Sequence, residues 1–265
     1  DFSADFYVKN TDNLLLDITK APSVGVRTSR ENVGEVENRG LEFQTRVIPI
    51  QNKDWQWSLS LNYAYNKNKI LDLGEDTEYL PKGNKRHAVN HRYGEFYMYK
   101  WSGKFFNSQA EADEYTAKYG NPFGQKFRAG DLIYEDTNKD NKLNANDRVY
   151  VGKSDMPDIT YALNLGGAWK NLDFSMVWQG VEGARHVFNR EVLGEFSGDS
   201  SHPSTMWADS WTEDNHHATM PRVFETGTSS SDMQKCMSTF WLWNTGYLRL
   251  KTLQVGYSLP AALLN

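Results

Sequence analysis

The stretch Trp55-Gln56-Trp57-Ser58-Leu59-Ser60-Leu61-Asn62-Tyr63-Ala64-Tyr65-Asn66 decides the fold. Large apolar side chains stand at every odd position, and small or polar ones at every even position. A period of two sends successive side chains to opposite faces, so this is a strand with one greasy face and one polar face. The same reading holds for Tyr161, Leu163, Leu165, Gly167 and Trp169, for Leu172, Phe174, Met176 and Trp178, and for Leu41, Phe43, Thr45 and Val47. Phe2, Ala4, Phe6 and Val8 continue it less cleanly. Leu253, Val255, Tyr257 and Leu259 alternate too, but out of phase with Leu248 and Leu250, which predicts a β-bulge between them. Six spanning strands are predicted, at about 1–16, 33–49, 55–70, 158–169, 172–182 and 246–259.

The connections alternate in length. Ile50–Asp54 and Lys170-Asn171 are tight turns, whereas 67–157 and 181–245 are long and polar. Short turns at one end and large loops at the other describe an all-β, transmembrane antiparallel β-barrel, apolar outside and polar inside. Trp55, Trp57, Trp169 and Trp178 are then predicted to point outward at lipid, and Gln56, Asn62, Asn164 and Gln179 into the lumen. A soluble two-sheet sandwich also alternates, so the residues alone leave both architectures open.

Composition sets further bounds. The 265 residues carry 29 Lys and Arg against 34 Asp and Glu, a net charge of −5, which argues against a non-specific grip on nucleic acid or on an anionic membrane surface. Mean hydropathy is −0.69, and no apolar run approaches the ~20 residues of a membrane helix. Yet 14% of the residues are aromatic. A barrel reconciles the two: rings populate the lipid face and its interface girdles, while lumen and loops stay polar. Cys236 is the one cysteine, which excludes an intrachain disulfide and a thiolate metal cluster. The start, Asp1-Phe2-Ser3, does not read as a signal peptide, and both ends read as cuts through a larger protein.

Few motifs carry chemistry. Ser108-Gln109-Ala110-Glu111 reads as a capping box opening a helix that stops at Gly120, expected as surface decoration of the first long loop. The strongest motif runs from Asp136 to Asp147. Asp136, Asn138, Asp140, Asn144 and Asp147 occupy positions 1, 3, 5, 9 and 12 of a twelve-residue loop, and Lys142 at position 7 offers its backbone carbonyl. Hard oxygen donors at this spacing wrap one Ca²⁺, here expected to be structural. Asn141 replaces the usual Gly at position 6, and Asp147 the usual Glu at position 12. Leu132–Tyr134 and Val149–Val151, on either side, read as strands rather than EF-hand helices. His87 and His91 have HxxxH spacing without an adjacent Glu, and His216-His217 sits in a polar loop. Cys236 beside Lys235 reads as an ordinary loop thiol. No nucleophile elbow, P-loop or dinucleotide fingerprint occurs, and nothing marks a catalytic residue.

Four motifs in order resemble the SusC/RagA family of TonB-dependent outer-membrane transporters of Bacteroidetes. They are Asn32-Val33-Gly34-Glu35-Val36-Glu37-Asn38-Arg39-Gly40-Leu41-Glu42; Gly130-Asp131-Leu132-Ile133-Tyr134-Glu135-Asp136, running into the calcium-type loop; Trp211-Thr212-Glu213-Asp214-Asn215 with Pro221-Arg222; and Tyr247-Leu248-Arg249-Leu250-Lys251-Thr252-Leu253-Gln254-Val255-Gly256-Tyr257-Ser258-Leu259-Pro260. The resemblance implies that residues 1–265 are part of the C-terminal half of a barrel of about 22 strands, with the N-terminal plug and the final strands outside the chain. It implies import of oligosaccharides or peptides across the outer membrane of a Gram-negative cell, energised by TonB through a segment not in this chain. It also implies a SusD-like surface lipoprotein as partner. The loops 67–157 and 181–245 are then extracellular. Two other classes are weighed: a secreted all-β carbohydrate-binding protein, with loop rings such as Trp207 and Trp241 stacking on sugars, and a surface glycosidase domain. Substrate-contacting residues are not legible.

Overall fold

The structure is a computed structural model and describes residues 1–19, 25, 28–74, 77–123, 126–187, 204–223 and 238–260. In chain order the elements are strands β1 (Phe2–Thr19), β2 (Thr28–Gln51), β3 (Trp55–Asp72), β4 (Tyr79–Lys82), β5 (Lys85–Ala88), β6 (Tyr97–Tyr99) and β7 (Trp101–Phe105). Helix α1 (Gln109–Tyr119) follows, then β8 (Leu132–Tyr134), β9 (Arg148–Tyr150), β10 (Ile159–Trp169), β11 (Leu172–Glu182), β12 (Arg185–Val187), β13 (Leu242–Asn244) and β14 (Tyr247–Tyr257).

Six long strands form one antiparallel sheet in the order β1-β2-β3-β10-β11-β14. These are the six predicted segments. β2 is longer than expected, starting at Thr28. The register is continuous across the sheet: Trp55 lies opposite Trp169, which lies opposite Leu172, which lies opposite Tyr257. The period of two therefore sorts whole rows onto one side. The Trp57–Gly167–Phe174–Val255, Leu59–Leu165–Met176–Leu253 and Leu61–Leu163–Trp178–Leu250 rows share the apolar face with it. So all four tryptophans expected to face lipid do lie on one side. Gln56, Asn62, Asn164 and Gln179 fall on the other. Among the described residues nothing packs over the apolar side, and Phe2, Phe6, Leu253 and Val255 are widely exposed. This sheet is a segment of an open-sided transmembrane barrel, with β1 and β14 as its edges.

Local chemistry shapes the sheet. The predicted bulge is at Lys251: Val177 pairs with Thr252 but its neighbour Trp178 pairs with Leu250. A second irregularity falls between Val47 and Ile50, around Pro49, which has no N–H for a ladder. The β2–β3 turn is shorter than expected, because Asn52 closes it with its side chain, whose Oδ1 accepts from the N–H groups of Asp54 (3.0 Å) and Trp55 (2.8 Å). At some glycines of the sheet an aromatic ring covers the missing side chain. The Tyr161 ring lies over Gly180 and the Phe174 ring over Gly167, each so close that a Cβ on the glycine would meet it at 2.3 Å.

The hydrophobic core lies outside the sheet. It is built by the two long loops together: Tyr99, Phe106, Phe127, Leu132 and Tyr134 from the first and Trp207, Trp211, Met220 and Trp241 from the second. Burying such a ring contributes about 1.5–3 kcal/mol, enough in sum to fold the loops into one body. Two sequence expectations change here. The aromatic excess serves this core as well as the lipid face. And α1 is not surface decoration: it buries Ala112 completely and donates a hydrogen bond from the Tyr115 hydroxyl to the Tyr134 carbonyl at 2.6 Å. The Ser108 cap and the Gly120 stop are as read, with Ser108 accepting from the Glu111 N–H and Gly120 at φ +74° closing the helix onto Thr116, but the capping box is only half formed, because the Glu111 carboxylate accepts from the Asn107 N–H instead of that of Ser108.

Candidate functional site

The loop body is attached to the sheet by an ion cluster where β10 begins. Arg92 Nη2 lies 2.5 Å from Asp158 Oδ1, and Lys153 Nζ lies 2.7 Å from Asp158 Oδ2. Next to it, Asp155 pairs with Lys85 and with His186 Nδ1 at 2.8 Å. Burial pushes the Asp158 carboxyl up, but Lys153 and Arg92 outweigh it and hold it below the usual carboxylate range. Asp155 behaves the same way, through Lys85 and His186. Through His186, β12 is thereby fastened to the first loop.

Two of the four sequence motifs meet inside the loop body. Arg222 N donates to Gly130 O at 2.9 Å, and Arg222 Nε to Asp131 Oδ1 at 2.5 Å. Asp131 is fully buried. Gly130 has φ +82°, and a Cβ there would strike the Trp211 ring at 2.4 Å. So Gly130-Asp131 and Trp211…Arg222, far apart in the chain, form one joint.

The calcium-type loop follows directly. Asp136 accepts from the N–H groups of Asp140 (3.3 Å) and Asn141 (2.9 Å), and Asp140 accepts from Lys142 N at 2.8 Å. Asn141 adopts φ +60°, the left-handed conformation that position 6 requires. Asp147 is completely buried and receives Thr137 N at 3.0 Å and Asn144 N at 2.8 Å, so it ties the loop's two ends. Asn144 in turn caps a 3₁₀ turn over Ala145–Asp147. This nested-turn backbone fits a wrapped cation. The carboxylates are only three, however, so Asn138, Asn144 and the Lys142 carbonyl must complete the set. Among the described residues, no three His, Cys, Asp or Glu side chains converge as a metal group.

Among the described residues, the histidines do not converge on a metal site. His87 is buried against the Tyr93 ring at 4.3 Å, whereas His91 stacks on Tyr150 at 3.6 Å and contacts Glu95. His216 stacks on Trp211. Cys236 lies outside the described residues.

A cavity of about 1270 Å³ opens between the two loops and is lined by Trp101, Lys104, His216, Phe240 and Trp243 among others. Rings and a few polar groups around a wide opening suit a flexible polar ligand with apolar faces. Trp207 and Trp241, the rings considered for sugar stacking, are 6% and 1% exposed and pack in the core instead. The signal that was missed is in Phe240-Trp241-Leu242-Trp243: Trp241 turns into the core, while Phe240, Leu242 and Trp243 line the cavity. A smaller recess on the polar face of the sheet is lined by Asn62, Gln179, Glu42 and Asp5.

Comparison with known proteins accords with this geometry. Residues 1–259 match the family described as TonB dependent receptor-like, beta-barrel. TonB-dependent receptor P26 of Formosa agariphila is 30% identical over 97% of this chain and 25% of its own length. TonB-dependent receptor SusC of Bacteroides thetaiotaomicron is 27% identical over 96% of this chain and 24% of its own. The chain thus spans about a quarter of the length of these curated relatives. The RagAB peptide importer in its open-open state superposes with a TM-score of 0.74 at 24% identity, covering all of this chain and 27% of that one. The closed-closed state gives 0.70 at 25% identity, with the same coverage. These relatives are receptors and transporters, not enzymes.

Proposed function

Since the chain belongs to the TonB-dependent receptor-like β-barrel family, whose members are outer-membrane proteins of Gram-negative bacteria, we propose that the whole protein actively imports oligosaccharides across that membrane. The observation that carries the reading is the division of labour within one chain. A sheet with an apolar side and a polar side bears, at one end of its strands, a folded loop body with a wide aromatic cavity. In a barrel the polar side lines the lumen and the long loops face the medium, so the cavity stands at the entrance.

Peptides are the second reading, favoured by the resemblance in fold to the RagAB peptide importer. A SusD-like surface lipoprotein is the expected partner, resting on the loop body, with TonB acting through a segment outside this chain. Ca²⁺, held by Asp136, Asn138, Asp140, the Lys142 carbonyl, Asn144 and Asp147, would stiffen that body. Millimolar Ca²⁺ outside the cell suffices even for a weak site.

Uptake of labelled oligosaccharides and of labelled peptides by cells carrying the full-length protein tests the reading. Trp101→Ala with Trp243→Ala should abolish uptake of one class at unchanged surface abundance. Unchanged uptake of both would sink it. A chelator should lower the melting temperature of the full-length protein, and Asp136→Ala should remove that response.

A further inference from the structure

Followed past its last aromatic row, the outward face of β2 and β3 turns from apolar to cationic. Phe6, Leu41 and Tyr65 form that last row and are all well exposed. The next row sets Lys67 directly opposite Arg39, and the one after sets Lys69 opposite Glu37. Glu37 is taken by Arg39, whose Nε and Nη2 donate to it at 2.7 and 2.9 Å. Among the described residues the ion pairs of this region are Arg39–Glu37, His91–Glu95, Arg92–Asp158 and Lys153–Asp158, so Lys67 and Lys69 stand outside them. Like charges directly opposite on adjacent strands are destabilising, and Lys67 against Arg39 is such a pair. Behind the row lies a recess of about 520 Å³ whose charged lining is Arg39, Lys67, Lys69, His91 and Arg92 against Glu37 and Glu95. The Arg92 side chain is 8% exposed, and its Nε has no hydrogen-bond partner. Glu37, Glu95 and Asp158 answer Arg39, His91 and Arg92, which leaves the exposed Lys67 and Lys69 as the charges without a counter-ion among the described residues.

Depth decides which anion. The Trp55 and Tyr65 rows are ten residues apart, about 33 Å along a strand and about 25 Å along the normal at a ~40° tilt, the height of an outer-membrane apolar belt. The Lys67–Arg39 row is then about 5 Å beyond the belt, at headgroup level. Further along, Glu35 opposite Asp72 makes the face acidic again. The net charge of −5 conceals a positive band confined to one depth. A free anion needs no greasy surface beneath it, whereas a lipid does.

We propose that Arg39, Lys67 and Lys69, with Arg92 behind them, dock the phosphate of a phosphorylated glycolipid of the outer leaflet, whose acyl chains lie along Phe6, Leu41 and Tyr65. This rests on the reading above that the long loops face the medium.

The test uses the full-length receptor in detergent, with lipid A as probe and phosphatidylglycerol and inorganic phosphate as competitors, read by native mass spectrometry. Retention of lipid A should fall roughly twenty-five-fold in Lys67→Ala/Lys69→Ala, about fivefold per lysine. It should be unchanged in Lys82→Ala, on the exposed loop strand β4. Equal retention by wild type and the double variant, or full displacement by phosphatidylglycerol or inorganic phosphate, overturns the proposal. Orientation is read separately, by labelling Asn138→Cys in a Cys236→Ser background with an impermeant thiol reagent on intact cells. Labelling only after lysis overturns the topology, whatever the lipid result.

Discussion

Asp131 and Arg222 form a 2.5 Å ion pair across 91 residues of sequence, with the carboxylate fully buried. One member belongs to each long loop, so the pair is a bolt between them. Removing one partner leaves an uncompensated buried charge, which costs about 3–5 kcal/mol. Arg222→Ala should therefore separate the loops, seen as new protease cleavage within 73–158 in the full-length protein while the sheet stays resistant. Asp131→Ala should produce the same cuts.

Gly130 and Gly152 both have positive φ, +82° and +73°. Alanine at Gly152 meets no atom within 4 Å and should cost only the backbone strain, about 1–2 kcal/mol. Alanine at Gly130 adds a clash with Trp211, about 1–3 kcal/mol more. Melting temperatures of the two variants should rank in that order.

Leu163 and Asn164 are neighbours on β10 with opposite fates. Leu163→Arg puts a charge on the apolar face near mid-depth, at a cost of about 2–4 kcal/mol, and should reduce the folded fraction in outer membranes. Asn164→Arg faces the polar side and should assemble normally. Heat-modifiable migration on gels distinguishes them.

The attachment of the loops should weaken in acid. Asp155 and Asp158 titrate below the ordinary carboxylate value of about 3.9. Their contribution is complete above that value and is lost as pH falls through the depressed folded values. His87 works in the same direction: burial, then Lys82 and Lys85, lower its pKa, so acid below about 6.5 favours the unfolded form. Hydrogen exchange in 85–92 should rise first below about pH 6.5 and steeply below about pH 4. Asp158→Asn should remove much of the steep part.

Most of the sheet was legible in the sequence, because alternation is local information. A residue's face in a strand follows from its neighbours two positions away, and one phase slip between Leu250 and Leu253 was enough to place a bulge. The turns of 136–147 and the capped helix were legible for the same reason, since their partners lie within a dozen residues. What α1 packs against was not. Nor did any period indicate that Trp207 and Trp241 turn inward, that Asp131 finds Arg222, or that Lys67 is in register with Arg39. Those depend on contacts between segments far apart in the chain. Only the tertiary structure, by burying rings from both loops in one core and aligning the rows of six strands, decided where the joints, the cavity and the cationic row fall.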